Sequence, residues 1–242
     1  MPLSSSTSFT TSRFSSSSAL VSAIWFSFVV LRRVARQGRR TEYLFGRAGR
    51  ILCDVRAQDP VAYRAATAAD ADAVAALHAD SWRRHYRGAF ADAYLDGDVV
   101  SDRRRVWTAR LAAAGDDART IVAESAGRVI GFVHVVFDDH PTWGALLDNL
   151  HVTFERKRQG IGARLMVRAG AAVTQARPGS LLYLWVLEQN SAAQAFYESL
   201  DGRCVERDQV DPPGGDPTRL AGTPWKLRYV WTDPAALSRL EE

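Results

Sequence analysis

The stretch "FERKRQGIGARLMVRAG", Phe154–Gly170, sets a basic cluster ahead of two glycines one residue apart, Gly160 and Gly162. Upstream, "ALLDNLHVTF" reads as a strand. Downstream, Ile161, Leu165, Ala169, Ala172 and Val173 recur at helical spacing, which predicts a helix to about Ala176 that packs on a sheet. A helix N-terminus presents unpaired N–H groups and partial positive charge. Preceded by a strand and built of glycine, it can close around a pyrophosphate. The stretch is not a Walker A loop, because Gly-Lys-Ser/Thr is absent, and Leu165 stands where a dinucleotide fingerprint needs its third glycine. A glycine pair alone also suits the start of an ordinary helix, so the rest of the chain decides the reading.

Working outward, "VAYRAAT" (61–67) fits a short strand. Val74, Leu77, His78, Ser81, Trp82, His85 and Tyr86 predict an amphipathic helix over about 70–87, and Asp102–Ala114 reads as another. "TIVAES" and "RVIGFVHVVF" flank an Ala-Gly turn and predict a hairpin. "SLLYLWVL" is almost wholly apolar, as a strand buried on both faces would be. Ser191 with Gln194 makes a capping box for the helix "SAAQAFYESL". "RCVERD" and "WKLRYVW" read as strands around a Pro- and Gly-rich loop, 207–225. The order β-α-α-β-β-β-α-β-α-β-β implies one α/β domain with a mixed sheet.

Charge is unevenly spread. The formal net charge is +4, yet residues 1–57 hold nine Arg and only two acids, leaving 58–242 with 22 basic and 25 acidic residues. The main domain therefore lacks the basic excess of a nucleic-acid binder. Its mildly acidic balance is compatible with a cationic amine. Cys53 and Cys204 offer neither a disulfide framework nor metal-ligand spacing, which suits a reducing compartment. Eleven of the first 27 residues are Ser, and the apolar run "ALVSAIWFSFVVL" (19–31) precedes Arg32, Arg33, Arg36, Arg39 and Arg40. That run is short for a membrane span, and its charge order is the reverse of a secretory signal. A signal anchor, an organelle transit peptide and a translation start further along are the three readings. The expectation taken forward is the last, with 58–242 as the domain.

The motifs together resemble one family, the GNAT superfamily of acyl-CoA-dependent N-acetyltransferases, over about 61–232. "LDNLHVTFERKRQGIGARLM" is similar to its acetyl-CoA motif, Gln/Arg-x-x-Gly-x-Gly/Ala, and "LWVLEQNSAAQAFYESLDG" to the strand and helix that follow. Lys157 departs from the usual Gln or Arg, and Asp201 from a common Gly. The resemblance implies the GNAT fold: a mixed, mostly antiparallel sheet flanked by helices, with splayed central strands. It implies acetyl-CoA as co-substrate and no metal. The turn Arg158, Gln159, Gly160, Ile161, Gly162, Ala163 and Arg164 would hold the pyrophosphate, with Arg168 as added charge. The backbone of Leu150, His151 and Val152 would pair with the pantetheine arm, one N–H polarising the thioester carbonyl. Asn190 would bond the pantetheine amides, although Asn also favours strand ends and turns. Phe196 would be core, and Tyr197 the general acid that protonates the departing thiolate.

Asp148, Glu188 and His151 stand as candidate bases, with a water chain to solvent as the alternative. Trp185 occupies the place where enzymes acting on ribosomal protein N-termini tend to carry Glu, which argues against such an acceptor. Trp82, Tyr86, Phe90 and Tyr94 are candidate pocket walls, and loop 207–225 a candidate cover. The expectation is a cytoplasmic enzyme acting on a small-molecule amine by direct attack in a ternary complex. A homodimer is compatible, and membrane association is open through residues 19–31. A non-catalytic acyl-CoA-binding module on the same fold is the alternative.

Overall fold

Ala126 and Gly127, both at positive φ (51° and 72°), turn the chain back on itself between two runs rich in β-branched residues. The turn pins Ser125 opposite Arg128, and strands β2 (Ala118–Ser125) and β3 (Arg128–His140) pair outward from it. The computed structural model describes residues 59–241 except Ala114, together with two antiparallel dipeptides, Tyr43–Leu44 and Arg50–Ile51. The chain divides into two units, 1–58 and 59–242. The expectations for the apolar run 19–31 and for the start of translation lie outside the described residues. Among those described, no helix is long and apolar enough to cross a membrane.

The second unit is a seven-stranded sheet. Its remaining strands are β1 (Ala62–Ala65), β4 (Gly144–Val152), β5 (Leu182–Leu187), β6 (Arg203–Gln209) and β7 (Trp225–Trp231). The order is β1-β2-β3-β4-β5-β7-β6, antiparallel throughout except between β4 and β5. That parallel pairing covers only Ala145↔Leu182 and Leu146↔Tyr183, so beyond it the central strands splay apart.

Helix α4 (Ile161–Ala176) covers one face of the sheet. Its Ile161, Leu165, Met166, Ala169 and Val173 are buried with Val133, Leu147, Leu182 and Leu184. The close approach is possible at Gly131 on β3, where a Cβ would lie 3.1 Å from the His151 carbonyl and 3.2 Å from Leu165 Cδ1. Helices α1 (Ala71–His85) and α3 (Val99–Ala112) lie on the opposite face, burying Val74, Leu77, Trp107 and Leu111 with Val122 and Phe132. α3 begins three residues before its expected start. A short helix not anticipated from the sequence, α2 (Asp92–Asp96), precedes it. Five residues show no period, and its N-cap, Ala91, makes no side-chain cap.

β4 carries a bulge. Asn149 pairs with His134 and Leu147 with Val135, which leaves Asp148 unmatched. Helix α5 (Ser191–Glu198) follows β5, and its cap differs from expectation. Asn190, not Ser191, is the N-cap and accepts the Ala193 N–H at 3.2 Å, while Gln194 donates to the Leu187 and Glu188 carbonyls. The expected loop is shorter, 210–224, since β6 runs to Gln209 and β7 begins at Trp225. It is fastened to the α1–α3 side by Ala91 N–H to Arg219 O (2.8 Å) and Ala221 N–H to Ala89 O (2.9 Å).

Candidate active site

Where β4 and β5 part, a cleft of about 390 Å³ opens between them. Leu147–Val152 form one wall and Leu184–Val186 the other, with α5 and the glycine turn at one end and Ser81 and His85 of α1, with Tyr86 just after it, facing in. A larger hollow, about 760 Å³, lies between the end of α5 and the C-terminal turn, and holds none of the expected site residues.

The turn is shaped by two left-handed residues, Arg158 (φ 60°) and Gly160 (φ 75°). At a non-glycine residue such a conformation costs about 1 kcal/mol, so the surroundings of Arg158 hold it there. The first bond of α4 runs from Arg164 N–H to Gly160 O at 3.0 Å. The N–H groups of Ile161, Gly162 and Ala163 precede it and have no acceptor within the helix. A Cβ on Gly160 would meet nothing within 4 Å, whereas one on Gly162 would touch Phe196 at 3.4 Å. The turn is therefore open on the Gly160 side and closed by α5 on the other.

Cationic groups surround it unequally. Arg156, Lys157 and Arg158 line the cleft; Arg156 also donates to Gln159 Oε1 at 2.9 Å, bracing the turn. Gln159 itself is not on the cleft wall. Arg164 is exposed and lies off the cleft, and Arg168 sits 4.0 Å over the Tyr63 ring, so neither reaches the wall. Lys157 Nζ lies 2.7 Å from His85 Nε2. Desolvation, then Arg84, lowers the Lys157 pKa; desolvation, then Lys157, lowers that of His85. Lysine donates to a neutral imidazole there. His85, Ser81 and Arg156 were not singled out from the sequence. The basic run before Gly160 is the signal that could have marked Arg156, whereas His85 and Ser81 read only as helix positions.

At the inner end, Leu150, His151, Val152, Asn190, Phe196 and Tyr197 all line the cleft. Phe196 and Tyr197 reverse the expected roles in burial. Tyr197 is 9% exposed and part of the core, and Phe196 is the less buried ring. The Tyr197 hydroxyl has no hydrogen-bond partner among the described residues. Burial, then the Tyr86 phenol, pushes its pKa well up. Asn190 reaches the cleft while Oδ1 serves as the cap.

His151 turns its ring toward α1, with Nδ1 2.8 Å from Ser81 Oγ and its centroid 4.7 Å from that of His78. Desolvation holds its pKa at about 3, and the neighbouring His85 and the Lys157 ammonium act in the same direction. His78 is fully buried, and desolvation sets it well below the ordinary value. Its Nδ1 accepts the Trp107 Nε1–H at 2.9 Å, so the ring proton sits on Nε2, which has no partner. The other candidates for the base separate clearly. Glu188 is corrected by the structure: it lies outside the cleft, exposed, with both oxygens taken by Arg207 at 2.7 and 2.8 Å. Asp148 lies in the cleft at the bulge, accepting from Arg110 at 2.5 Å and from Asn149 Nδ2 at 2.6 Å.

Of the expected pocket walls, only Tyr86 lines the cleft, with Trp185 opposite. Trp82 and Phe90 are buried between α1 and α2. Tyr94 donates to Asp102 at 2.7 Å, in a network that also includes Arg103 and Arg219. The loop thus braces the helices beside the cleft instead of lining it.

Comparison with known proteins gives one consistent match. The family model for the acetyltransferase (GNAT) domain matches residues 116–201. "Probable N-acetyltransferase Rv2775" of Mycobacterium tuberculosis is 34% identical over 140 residues, 57% of this chain and 77% of the relative. "Uncharacterized N-acetyltransferase YuaI" of Bacillus subtilis is 26% identical over 182 residues, 74% of this chain and 98% of the relative. Among solved structures, PaiA N-acetyltransferase from Thermoplasma acidophilum in complex with coenzyme A superposes with a TM-score of 0.55 at 16% identity, covering 71% of this chain and 99% of that one. At that identity the likeness is one of fold.

Proposed function

The chain belongs to the GNAT superfamily of acetyltransferases, and on that premise we propose that it moves an acetyl group from acetyl-CoA to a primary amine by direct attack in a ternary complex. The observation that carries the reading is the open glycine turn at the N-terminus of α4, set at the mouth of the cleft between the splayed strands. Its unpartnered N–H groups, the empty space beside Gly160 and the cations Arg156, Lys157 and Arg158 fit a pyrophosphate. PaiA N-acetyltransferase, which shares the fold, was solved in complex with coenzyme A.

Acetyl-CoA would supply the acetyl group. The Leu150–Val152 backbone, on the diverging edge of β4, is the proposed donor and acceptor set for the pantetheine amides. Asn190 adds its side-chain amide. Tyr197 Oη keeps its proton at neutral pH, because burial disfavours the phenolate. It is the proposed acid for the departing thiolate. His151 is too weak a base to take a proton from an ammonium near neutral pH. Asp148, exposed at the bulge and facing the cleft, is the group proposed to pass that proton to solvent. The residues assigned to these roles come from 58–242, and we propose that this segment is the catalytic domain and needs nothing from 1–57. Cytoplasmic location and a small-molecule acceptor belong to the same proposal.

The test is thiol release from acetyl-CoA with a panel of amines, alongside calorimetric binding of acetyl-CoA. Turnover with at least one amine is expected. Tight binding without release from any amine would mark a binding module, and absence of binding would remove the cofactor assignment itself.

A further inference from the structure

On the face of the sheet opposite α4, Trp185, Arg228 and Glu206 stand side by side across β5, β7 and β6. The Arg228 side chain is 8% exposed. Its guanidinium carbon lies 4.4 Å from the Trp185 ring, 4.8 Å from Tyr183 and 5.1 Å from Trp143. Nε and Nη1 are sealed from solvent, and neither makes a hydrogen bond among the described residues. Glu206 Oε2 lies 2.8 Å from Nε but off the line that a hydrogen bond requires. Tyr183 spends its hydroxyl on Asp139. Lys226, 4.6 Å over the Trp185 ring, is tied to Asp211 at 2.6 Å and lies 4.0 Å from Asp208.

Burying a guanidinium with its donors unmet is costly, and aromatic faces offset only part of that cost. A carboxylate is recognised by a planar fork, and displacing Glu206 from Nε would present Nε beside Nη2 as one. The position matters as much as the chemistry. Trp185 lines the cleft, and Arg228, which does not, packs against that ring. Asp148, on the same cleft, supplies the opposite charge.

We propose that the acceptor is a small amine carrying its own carboxylate, of the amino-acid class, with the anion held by Arg228 against Trp185 and the amine turned toward Asp148. This rests on the acetyl-transfer reading above. Glu206 is the internal competitor for the guanidinium. It is half-exposed on the edge strand β6, and the substrate's anion displaces it. A polyamine would bring only positive charge to Arg228 and Lys226 and is rejected.

The experiment measures kcat/KM for α-amino acids and their carboxamides, compared at equal concentration of neutral amine, with a polyamine as reference. Hydrogen bonds to charged groups predict a preference for the acid of about 10- to 100-fold. Arg228→Met should abolish that preference and leave the carboxamide within a few-fold, while Arg228→Lys keeps part of it. Because Arg228 is buried and Arg228→Met puts folding at risk, Glu206→Gln carries an independent arm. Removing the competitor should lower KM for the acid roughly threefold or more, and leave the carboxamide unmoved. Equal or better turnover of carboxamide or polyamine, or no effect of Glu206→Gln on the acid, overturns the proposal while acetyl transfer stands. No thiol release from any amine, with acetyl-CoA bound, overturns acetyl transfer and this proposal with it.

Discussion

The α4 face of the sheet is packed with aliphatic side chains, Val133, Leu147, Leu165, Leu182 and Leu184 among them. The face under α1 and α3 buries His78, Arg103, Asp102 and Trp107 together with their hydrogen bonds. The first face needs only the right period and volume, and tolerates exchange among aliphatics. The second needs particular partners, because a buried polar group left unmet, as His78 Nε2 is, costs stability. Cofactor recognition by backbone suits the first kind of surface, and discrimination among acceptors suits the second.

The sharpest way to break this division is at the turn. Gly160→Val places a β-branched side chain at positive φ and fills the open space beside the turn. Acetyl-CoA affinity should fall on the order of a thousandfold, since several charge-assisted N–H contacts go together. Calorimetry on the folded variant reads it, and unchanged affinity would take the cofactor off the α4 side. Next in size, Tyr197→Phe removes one donor at the inner end of the cleft. A fall in kcat of ~100-fold with little change in acetyl-CoA binding is expected. Loss of affinity in place of rate would make the hydroxyl a cofactor contact.

The polar face should also betray itself through pH. His78, His134 and His151 are held neutral in the fold, the last two with pKa values of about 4 and 3. Unfolded, each would titrate near 6.5. Stability is then full above that value and is lost as pH falls below it, because the unfolded chain binds protons the folded one refuses. Each histidine contributes up to ~1.4 kcal/mol per pH unit between the two pKa values. Chemical denaturation between pH 7 and 5 measures the slope, and His78→Gln should flatten it by about one proton. A slope unchanged by that substitution would mean His78 is protonated in place. Smallest of all, Glu188→Gln should change kcat by no more than about twofold, in line with exposed surface substitutions. A collapse in rate would return Glu188 to the cleft despite its pairing with Arg207.

Much of the aliphatic face was legible in the sequence. Ile161, Leu165, Ala169 and Val173 announce α4 by period, and the Ala126–Gly127 hairpin by its turn chemistry. The polar face was not, because its determinants are pairings between distant residues. Nothing local links Trp107 to His78 or Ser81 to His151. The left-handed Arg158 was hidden for a different reason, since an arginine gives no local sign of positive φ. The bulge at Asp148 was equally silent, as one extra residue leaves a strand's composition unchanged. The cap shifted from Ser191 to Asn190 because both residue types suit the position and only the end of β5 decides between them. Glu188 misled by proximity in sequence: it follows the cleft wall by two residues, yet points to Arg207.

The short parallel seam between β4 and β5 has a bearing on cooperativity. With only Ala145↔Leu182 and Leu146↔Tyr183 paired, the sheet consists of a four-stranded and a three-stranded ladder, each hydrogen-bonded within itself. Backbone bonds scarcely couple the two. The coupling falls to side chains that reach both, such as Leu165 of α4, which packs in one cluster with Val133 from the first ladder and Leu184 from the second. Truncating that cluster would do more than lower the global stability. It would let the two ladders open as separate units, each with its own amide-exchange rate.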